Sequence, residues 1–452
     1  MEVAVIGGGY VGLVSGTCLA SRGHNVTIVE RDPKKVAQIE SGKSPIHEEG
    51  LDELLAATIG KTLSATQDFD AAVRGSDLTL IAVGTPFDGD EIDLSQIEEA
   101  SNAIGKVLKT TDRYHVVVVK STVVPGTTDD LVVPAIEKYS GKQCGEGFGA
   151  GMNPEFLREG NAVDDFMNPD RIVIGANDAK AFNVIQELYT SFASTDKISC
   201  NTTTAEMIKY ASNALLATLI SYSNEIGNIC EKVPGVDTID VFNGVHLDKR
   251  FSPIMPDGTR VVPQSNTYLK SGCGFGGSCF PKDVNALRAY ANQKGVASHV
   301  LDGVIETNAT QPNSILKLLK KHVDNLTGVN ITVLGLAFKP GTDDIRESPS
   351  LPIINQLIDA GADVTVYDPH AMDVAAETAL AHHSSLIQYA ESFESSIQDA
   401  QAIVVATAWP EFSDLPSAIA DTKPAPLVID GRRFFEPNSI ERYEGIGLGP
   451  KT

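Results

Sequence analysis

The sequence predicts an α/β protein that contains two parallel-sheet domains joined by a long central helix. In the N-terminal part, short apolar runs alternate with helix-like segments, and a similar alternation returns near the C-terminus. Between them, residues Thr203 to Glu231 contain no proline and only one glycine, Gly227. Alternating strands and helices are typical of parallel sheets covered by helices.

The first sheet is predicted from four apolar runs: Val3–Ile6, Val26–Val29, Leu78–Val83 and Val116–Val119. A glycine-rich turn and a helix that reaches about Arg22 follow the first run. Ligands of such sheets bind beyond the carboxyl ends of the strands. The loops that follow the last two runs are therefore candidate binding loops, Gly84-Thr85-Pro86 and Lys120-Ser121-Thr122.

The second sheet is predicted by a weak internal repeat. Ile331–Gly335 resembles Val3–Gly7, Val364–Pro369 resembles Val26–Pro33, and Ala402–Thr407 resembles the run that ends in Gly84-Thr85. This sheet would extend from roughly residue 325 to residue 452. It lacks the glycine triplet, so we do not expect it to bind a dinucleotide pyrophosphate.

The central segment has apolar residues at helical spacing, which are Met207, Ala211, Ala214, Leu215, Leu219 and Ile226. One helix of this length would extend for about 40 Å at the standard rise. A long helix between two domains often forms a dimer interface. A helix packed in the core of one chain fits the same pattern.

Charge and composition exclude some classes of protein. The net charge of −23 argues against a nucleic-acid binder, which needs a basic face. An anionic substrate would have to be bound by a few local Lys and Arg side chains. Since no apolar run could span a bilayer and no cleavable leader is evident, we expect a cytoplasmic protein without a membrane partner. The six cysteines have no metal-ligand spacing, so we expect reduced thiols and no metal.

The N-terminal turn indicates a dinucleotide site. Gly7, Gly9 and Gly12 fit the pattern G-x-G-x-x-G between a strand and a helix, and Glu30 ends the next strand. Glycines let the backbone approach a pyrophosphate, and the helix N-terminus provides N–H donors. Glu30 would accept hydrogen bonds from ribose hydroxyls and repel a 2′-phosphate. The pattern therefore predicts a Rossmann domain that binds NAD rather than NADP, although Arg31 lies beside Glu30.

Two polar pairs are weaker signals. Glu155 and Glu159 lie four residues apart, on one face if the segment is helical. Lys209 and Asn213 have the same spacing on the central helix, where an ammonium and an amide could stabilise an oxyanion. Taken alone, the glutamate pair fits a solvated helix start better than a site, and the Lys209–Asn213 pair also fits an exposed polar face.

The segment Gly272–Asp283 is the most specific chemical signal. Its glycines permit close approach of a ligand or backbone, and Cys279 precedes Lys282 and Asp283 at the predicted start of a helix. A helix N-terminus and a nearby Lys favour a thiolate, which is the nucleophilic form of cysteine. Cys273 fits a buried packing role better.

These motifs together resemble the UDP-glucose/GDP-mannose dehydrogenase family along essentially the whole chain. The matching segments are Gly7–Gly12, Gly84-Thr85-Pro86, Lys120-Ser121-Thr122, Asn153–Gly160, Lys209 with Asn213, Gly274–Asp283, Phe338-Lys339-Pro340 and Arg346-Glu347-Ser348. The resemblance implies three domains: an NAD-binding Rossmann domain (1–200), a central helical dimerisation domain with the cysteine loop (201–310) and a UDP-sugar-binding Rossmann-like domain (311–452).

The resemblance also implies a reaction, the four-electron oxidation of UDP-glucose to UDP-glucuronate with NAD, in a homodimer. Cys279 would attack an intermediate aldehyde, and the resulting thiohemiacetal would be oxidised to a thioester that water hydrolyses. Lys209 and Asn213 would stabilise the oxyanion. Asp283, Glu155 and Thr122 would position water and transfer protons, with Glu159 supporting them.

The remaining site residues follow from the same resemblance. The cofactor residues it implies are Gly7, Gly9, Tyr10, Val11, Gly12, Glu30, Lys35, Thr85, Pro86, Ser121, Thr122, Glu155, Lys282 and Arg346. The substrate residues it implies are Glu155, Phe156, Leu157, Lys209, Asn213, Tyr268, Lys270, Phe275, Gly276 and Lys339. Lys270 and Lys339 are the expected partners of the diphosphate.

One departure leaves the substrate open. Many UDP-glucose members have an Arg sixteen residues before the nucleophile, where this chain has Pro263, with Arg260 nearby. GDP-mannose or a UDP-N-acetylhexosamine is therefore the alternative substrate.

Two other classes compete with this interpretation. A two-electron β-hydroxyacid dehydrogenase would need neither Cys279 nor the second sheet, and a non-catalytic NAD-binding regulator would not need the cysteine loop. The three classes form two, one and no NADH per substrate, respectively.

Overall fold

The computed structural model describes residues 1–451. They fold into two compact units, residues 1–212 and 213–451. Each unit contains one sheet with helices on its faces, so the predicted α/β class is confirmed. No helix within residues 1–451 is both long and apolar enough to cross a membrane.

The first unit is built on an eight-stranded sheet. Its strands are β1 (Glu2–Ile6), β2 (Asn25–Val29), β3 (Leu63–Thr66), β4 (Leu78–Ile81), β5 (Val116–Val119), β6 (Gly149–Met152), β7 (Arg171–Ala176) and β8 (Asp196–Cys200). Their order is β3-β2-β1-β4-β5-β6-β7-β8, and all neighbours are parallel except the antiparallel pair β6 and β7. Every residue of β4 and β5 is buried, as expected for strands covered on both faces.

Helices connect successive strands of this unit, with two of them between β2 and β3. They are α1 (Tyr10–Ser21), α2 (Pro33–Glu40), α3 (Leu51–Thr58), α4 (Phe69–Gly75), α5 (Ser95–Leu108), α6 (Val133–Ser140), α7 (Ala162–Met167) and α8 (Ala179–Leu188). Strand β4 ends at Ile81, two residues earlier than the apolar run predicted, because the chain turns there into the loop of Val83 to Pro86.

The long helix α9 (Thr202–Cys230) confirms the predicted continuous helix of the central segment. Its 29 residues extend for about 43 Å at the standard rise. Leu215, Tyr222 and Ile229, seven residues apart, are 59%, 53% and 55% exposed. The helix therefore has both buried positions, such as Ala217, and a regularly spaced exposed apolar stripe.

The second unit contains a six-stranded sheet. Its strands are β9 (Asn330–Leu334), β10 (Asp363–Tyr367), β11 (Ile387–Tyr389), β12 (Ala402–Val405), β13 (Leu427–Asp430) and β14 (Tyr443–Gly445). Their order is β11-β10-β9-β12-β13-β14, and every neighbouring pair is parallel. This sheet has the strand pattern that the internal repeat predicted.

The first helices of the second unit precede its sheet in the chain, and the later ones connect its strands. They are α10 (Thr238–His246), α11 (Phe280–Gln293), α12 (His299–Thr310), α13 (Asn313–Lys320), α14 (Ser350–Asp359), α15 (Met372–Glu377), α16 (Phe393–Ile397) and α17 (Leu415–Ala418). Helix α11 begins directly after Cys279, which the sequence placed at a helix start.

Candidate active site

The glycine turn between β1 and α1 has the geometry that a bound pyrophosphate requires. Gly7 has φ +106°, and a Cβ there would lie 2.6 Å from the carbonyl oxygen of Ala82. A Cβ on Gly12 would lie 1.9 Å from the carbonyl oxygen of Gly7. Side chains are therefore excluded at both positions, and α1 begins at Tyr10 directly beyond the turn.

Glu30 closes one side of this turn from the end of β2. Its Oε2 accepts a hydrogen bond from the Gly8 amide at 3.0 Å, and its Oε1 accepts one from the Asp32 amide at 3.0 Å. Arg31 instead forms an ion pair with Glu99 at 2.8 Å on the surface. Lys35 is half-buried on α2.

The two loops predicted to bind the cofactor are joined to each other. The Thr85 hydroxyl donates to the Thr122 carbonyl at 2.8 Å, and the Ser121 hydroxyl donates to the Val83 carbonyl at 2.6 Å. Pro86 is exposed beside them. These loops follow the carboxyl ends of β4 and β5, next to the glycine turn after β1, so the first unit gathers its predicted cofactor residues at one sheet edge.

This edge fits a dinucleotide. A Cβ on Gly9 would meet no atom within 4 Å, so the side of the turn at the helix N-terminus is open. The N–H groups of the first turn of α1, at Tyr10 and Val11, are suited to a pyrophosphate. Glu30 lies at the end of β2, where a ribose is bound in such folds.

The acidic segment after β6 is not helical, contrary to the arrangement that the spacing of Glu155 and Glu159 allowed. Residues 153–158 are irregular, and α7 begins only at Ala162. Glu155 is 7% exposed, and its Oε1 forms an ion pair with the Lys209 ammonium at 2.8 Å. Its Oε2 accepts from the Leu157 amide at 2.7 Å. Glu155 is therefore a buried, paired carboxylate and not part of an exposed face.

Charge pairing decides the ionisation of Glu155. Burial alone would raise the pKa of this carboxyl, but the Lys209 charge and hydrogen bond, the Leu157 amide and the Lys120 charge together lower it. Phe156, the next residue, lies under the Arg171 guanidinium at 3.9 Å and the Lys209 ammonium at 5.5 Å from its ring centre.

Several buried polar groups form hydrogen bonds with Asn153 at the N-terminal end of this segment. The Lys120 ammonium donates to the Asn153 side-chain oxygen at 2.8 Å, and the Tyr189 hydroxyl donates to the same oxygen at 2.5 Å. The Asn153 amide donates to the Val173 carbonyl at 2.7 Å. Burial lowers the pKa of Lys120 to about 8, with Glu155 opposing the shift and Lys209 adding to it.

Lys209 and Asn213 lie one turn apart on α9 and are both buried. The Asn213 amide donates to Oδ2 of Asp283 at 2.6 Å, and the Lys282 ammonium pairs with Oδ1 of the same carboxylate at 2.5 Å. Asp283 is 1% exposed. Glu155, Lys209 and Asn213 thus make buried polar contacts, whereas Glu159 is half-buried, so neither pair forms a fully exposed polar face.

Cys279 is the N-cap residue of α11, and its carbonyl accepts from the Asp283 amide at 2.8 Å. Its Sγ lies 3.5 Å from the Ser278 hydroxyl, and the residue is half-buried. Cys273 is fully buried, burial raises the pKa of its thiol, and its Sγ contacts the Ala406 carbonyl at 3.7 Å. The structure thus separates an accessible thiol from a packed one, as the sequence predicted.

The glycine loop before Cys279 is held tightly within the second unit. A Cβ on Gly276 would lie 2.2 Å from the Glu347 carbonyl oxygen, and the Gly277 amide donates to the Arg346 carbonyl at 2.8 Å. The Phe275 amide donates to the side-chain oxygen of Asn308 at 2.8 Å. Glycine is therefore required at Gly276 by close approach of backbone.

The predicted substrate residues of this unit surround the same loop. The rings of Tyr268 and Phe275 lie 6.3 Å and 6.0 Å from the ring of Phe280. Burial lowers the pKa of Lys270, Asp430 opposes the shift, and nearby guanidinium groups add to it. The Lys339 ammonium lies 5.6 Å from the Phe338 ring centre.

Arg346 and Arg260 each have partners within this unit. The Arg346 guanidinium forms an ion pair with Asp344 at 2.7 Å. Nη1 of Arg260, the residue near the expected family arginine, donates to the carbonyls of Leu247 and Ser252, both at 2.9 Å.

The sequence did not single out Arg432. This side chain donates from Nη1 to the Gly274 carbonyl at 2.8 Å and from Nε to the Ala406 carbonyl at 2.6 Å. Its Nη2 is buried without a hydrogen-bond partner among residues 1–451. Arg432 follows the carboxyl end of β13, which was the available signal, because ligands of parallel sheets bind at such ends.

Comparison with known proteins identifies relatives along the whole chain. Models of the UDP-glucose/GDP-mannose dehydrogenase family match in three parts: the NAD binding domain at residues 1–193, the central domain at 203–310 and the UDP binding domain at 332–437. A UDP-glucose 6-dehydrogenase of Haloferax volcanii is 42% identical over 99% of both chains. A GDP-mannose 6-dehydrogenase of Pseudomonas putida is 38% identical over 99% of this chain and 100% of its own.

Solved structures agree with these matches. A UDP-glucose dehydrogenase from Pyrobaculum islandicum has a TM-score of 0.88 at 37% identity, covering 99% of this chain and 97% of its own. A UDP-D-ManNAc dehydrogenase from Pyrococcus horikoshii has a TM-score of 0.84 at 28% identity, covering 99% of both chains.

Proposed function

Because this chain belongs to the UDP-glucose/GDP-mannose dehydrogenase family, we propose that it oxidises UDP-glucose to UDP-glucuronate in two steps, with Cys279 as the covalent nucleophile. The chain is an NAD-dependent nucleotide-sugar dehydrogenase. The observation that carries the proposal of a covalent mechanism is the placement of Cys279, an accessible thiol at a helix N-terminus, one turn before the buried Asp283.

NAD would be held at the sheet edge of the first unit, by the glycine turn, Glu30 and the loops of Thr85 and Ser121. When bound, it supplies the hydride acceptor for both oxidations. The Glu30 carboxylate would accept hydrogen bonds from the ribose hydroxyls of NAD and repel the 2′-phosphate of NADP, which favours NAD.

The first oxidation needs a group that takes the proton of the sugar's C6 hydroxyl as hydride leaves C6. Glu155 is suited to this, because Lys209 keeps it ionised despite its burial. Lys209 provides a positive charge beside the oxygen that becomes the aldehyde oxygen. Thr122 and Glu159 would hold water and support this acid network.

The second oxidation uses Cys279. Its thiolate sulfur would form a bond to the aldehyde carbon, giving a thiohemiacetal whose oxyanion Lys209 and Asn213 stabilise. Loss of the second hydride from the same carbon restores the C=O bond and gives a thioester. Water, activated near Asp283, then cleaves the C–S bond, which releases the carboxylate and regenerates the thiol.

The diphosphate is assigned to basic side chains of the second unit. Lys270, Lys339 and Arg432 provide positive charge around the glycine loop of a chain whose net charge is −23. The buried Nη2 of Arg432 is a donor that an anionic oxygen could satisfy. GDP-mannose and UDP-N-acetylhexosamines remain the alternative substrates. The chain is similar along its length to a protein named GDP-mannose 6-dehydrogenase and to the structure of a UDP-D-ManNAc dehydrogenase.

The stripe on α9 supports a homodimer. Leu215, Tyr222 and Ile229 expose more than half of their surface at seven-residue spacing, and Leu247 at the end of α10 is 61% exposed. Regular apolar exposure along a helix is typical of a self-complementary interface. A Leu215→Glu, Tyr222→Glu variant should be monomeric in light scattering, whereas replacing the exposed Glu225 of the same helix by Gln should leave a dimer. A dimeric double variant would place the interface elsewhere.

The reaction is tested by counting NADH per molecule of substrate over a panel of nucleotide sugars. UDP-glucose should give two NADH and UDP-glucuronate, and GDP-mannose and UDP-N-acetylhexosamines should react more slowly. One NADH per sugar would identify a two-electron dehydrogenase and overturn the mechanism. A faster reaction with another sugar of the panel would correct the substrate and leave the mechanism standing.

A further inference from the structure

Glu48 is a buried carboxylate outside every motif that indicated function. It lies in the loop before α3 and is 7% exposed. Its Oε2 accepts from the Gly160 amide at 2.7 Å and its Oε1 from the Ala162 amide at 2.6 Å. The Tyr10 hydroxyl donates to the same Oε2. One carboxylate thus joins the dinucleotide turn to the end of the acidic segment.

Both ends of this segment are anchored. Asn153 is fixed by Lys120, Tyr189 and the Val173 carbonyl, and Gly160 is fixed by Glu48. Between these anchors the chain from Pro154 to Arg158 has no regular secondary structure. Within it, Glu155 pairs with Lys209 and the Arg158 amide donates to Asp165, but no helix or strand holds the middle, so the side chains that hold the ends also position Glu155.

Tyr10 is a suitable donor for this bond. Burial raises the pKa of its phenol, as do its hydrogen bond to Glu48 and the charges of Glu48 and Glu159, so the hydroxyl stays protonated. Tyr10 is also the first residue of α1, at the N-terminus assigned to NAD.

We infer that Glu48 and Tyr10 form a positioning pair, which holds the segment of Glu155 and Glu159 in register with the dinucleotide turn. The inference rests on the proposed function, because it assigns Glu155 a proton-transfer role. The alternative is a purely structural role, in which Glu48 only caps the short helix α7 through the Ala162 amide. A misplacement of about 1 Å at a reacting group can cost roughly a hundredfold in rate, so the two roles differ in kinetics.

Glu48→Gln keeps the shape of the side chain but replaces one acceptor oxygen by an NH₂ group that would face backbone N–H donors. We expect kcat for NADH formation from UDP-glucose to fall by about a hundredfold, while KM for NAD changes by less than about threefold. Tyr10→Phe removes one hydroxyl and keeps both backbone bonds of Glu48, so kcat should fall by about tenfold. It also tests the inference if Glu48→Gln does not fold.

Two matched controls accompany these variants. Glu49→Gln changes the adjacent, exposed carboxylate, and Tyr114→Phe changes another tyrosine of the first unit. Both should keep the wild-type kcat and KM. Melting temperatures of all four variants show whether folding, rather than positioning, has changed.

Separate results would overturn the inference and the proposed function. If Glu48→Gln or Tyr10→Phe melts at a lower temperature but keeps wild-type kcat, the pair is only structural and the inference is wrong. If wild-type enzyme forms two NADH and both variants match it, the inference alone fails. If wild-type enzyme forms no NADH from any nucleotide sugar, the proposed function fails and the inference with it.

Discussion

The two parallel sheets begin in the same way and then differ. Gly7 after β1 and Gly335 after β9 both have positive φ, +106° and +95°, and both donate to the last residue of the neighbouring strand. After Gly7 the chain enters α1 within three residues, whereas after Gly335 the next helix, α14, begins only at Ser350. A helix N-terminus is therefore presented directly at the first turn but not at the second.

The carboxylates that follow β2 and β10 also differ between the two sheets. Glu30 accepts from two backbone amides and is half-exposed. Asp368 is 1% exposed and accepts from the amides of Leu336, Ala337, His370 and Ala371 and from the Trp409 indole. In the second sheet, the Asp368 carboxylate thus accepts hydrogen bonds from the backbone amides of the turn after β9. The comparison teaches that two sheets of similar topology differ in the helix that follows the first turn and in the carboxylate at the second strand end.

The largest expected effect tests whether the second oxidation depends on Cys279, the thiol of the second unit. Cys279→Ala should form at most one NADH per sugar, slowly, and release an aldehyde, because an alcohol can lose hydride without a thiol. We expect the rate of the second oxidation to fall by more than about a thousandfold. NAD affinity should not change, since the glycine turn lies in the first unit. NADH counted against substrate, with mass spectrometry of trapped enzyme, measures this.

Cys273→Ala is the control, because it removes the packed thiol of the same loop. It should keep two NADH per sugar. The covalent mechanism is falsified if Cys279→Ala still forms two NADH at a near wild-type rate.

The next effect concerns stability and compares Asp368 with Glu30. Asp368→Asn leaves several N–H donors facing one oxygen and an NH₂ group, so the free energy of unfolding should fall by about 3 kcal/mol or more. Glu30→Gln should cost less than about 1 kcal/mol, because Glu30 is half-exposed. Trp409 is the only tryptophan of the chain and contacts Asp368, so its fluorescence during denaturant unfolding reports the second unit, while far-UV circular dichroism follows both units. Equal losses in both variants would remove the distinction between the two carboxylates.

The sheets, α9 and the start of α11 could be predicted because their signals are local. Apolar runs such as Val116–Val119 and the glycine spacing after Val3–Ile6 need no tertiary information to be recognised. The helix start after Cys279 and the burial of Cys273 could be predicted as well, because Cys279 precedes Lys282 and Asp283 in a helix-like segment.

The contacts that organise the site could not be predicted, because they join residues far apart in the chain. Glu48 reaches Gly160 across 112 positions, and Arg432 reaches Gly274 across 158. Neither side chain lies in a recognisable motif. The acidic segment shows a second limit: spacing alone allowed a helix at Glu155 and Glu159, whereas tertiary anchors hold it as an irregular loop.

A smaller effect distinguishes the ligands of the two units. Lys339→Ala or Lys270→Ala should weaken substrate binding by about 1.5–3 kcal/mol, which is roughly tenfold to a hundredfold, because a diphosphate charge loses its partner. NAD affinity should stay constant, as the glycine turn is unchanged. Calorimetric titration with UDP-glucose and, separately, with NAD measures both. Unchanged substrate affinity in both variants would mean that the diphosphate binds elsewhere.

The smallest effect concerns the choice between NAD and NADP and tests the role of Glu30 beside the first turn. If Glu30 selects NAD by accepting from the ribose and repelling a 2′-phosphate, Glu30→Ala should reduce the NAD preference by about tenfold in kcat/KM, which corresponds to roughly 1.4 kcal/mol. Arg31 should contribute little, because it pairs with Glu99 and its side chain is 73% exposed. Glu99→Gln is therefore the matched control: it releases Arg31, leaves Glu30 intact and should keep the wild-type preference.

A wild-type enzyme that used NADP as well as NAD would refute the role of Glu30. A larger change in Glu99→Gln than in Glu30→Ala would transfer that role to Arg31, and the contrast between Glu30 and Asp368 would then describe packing only.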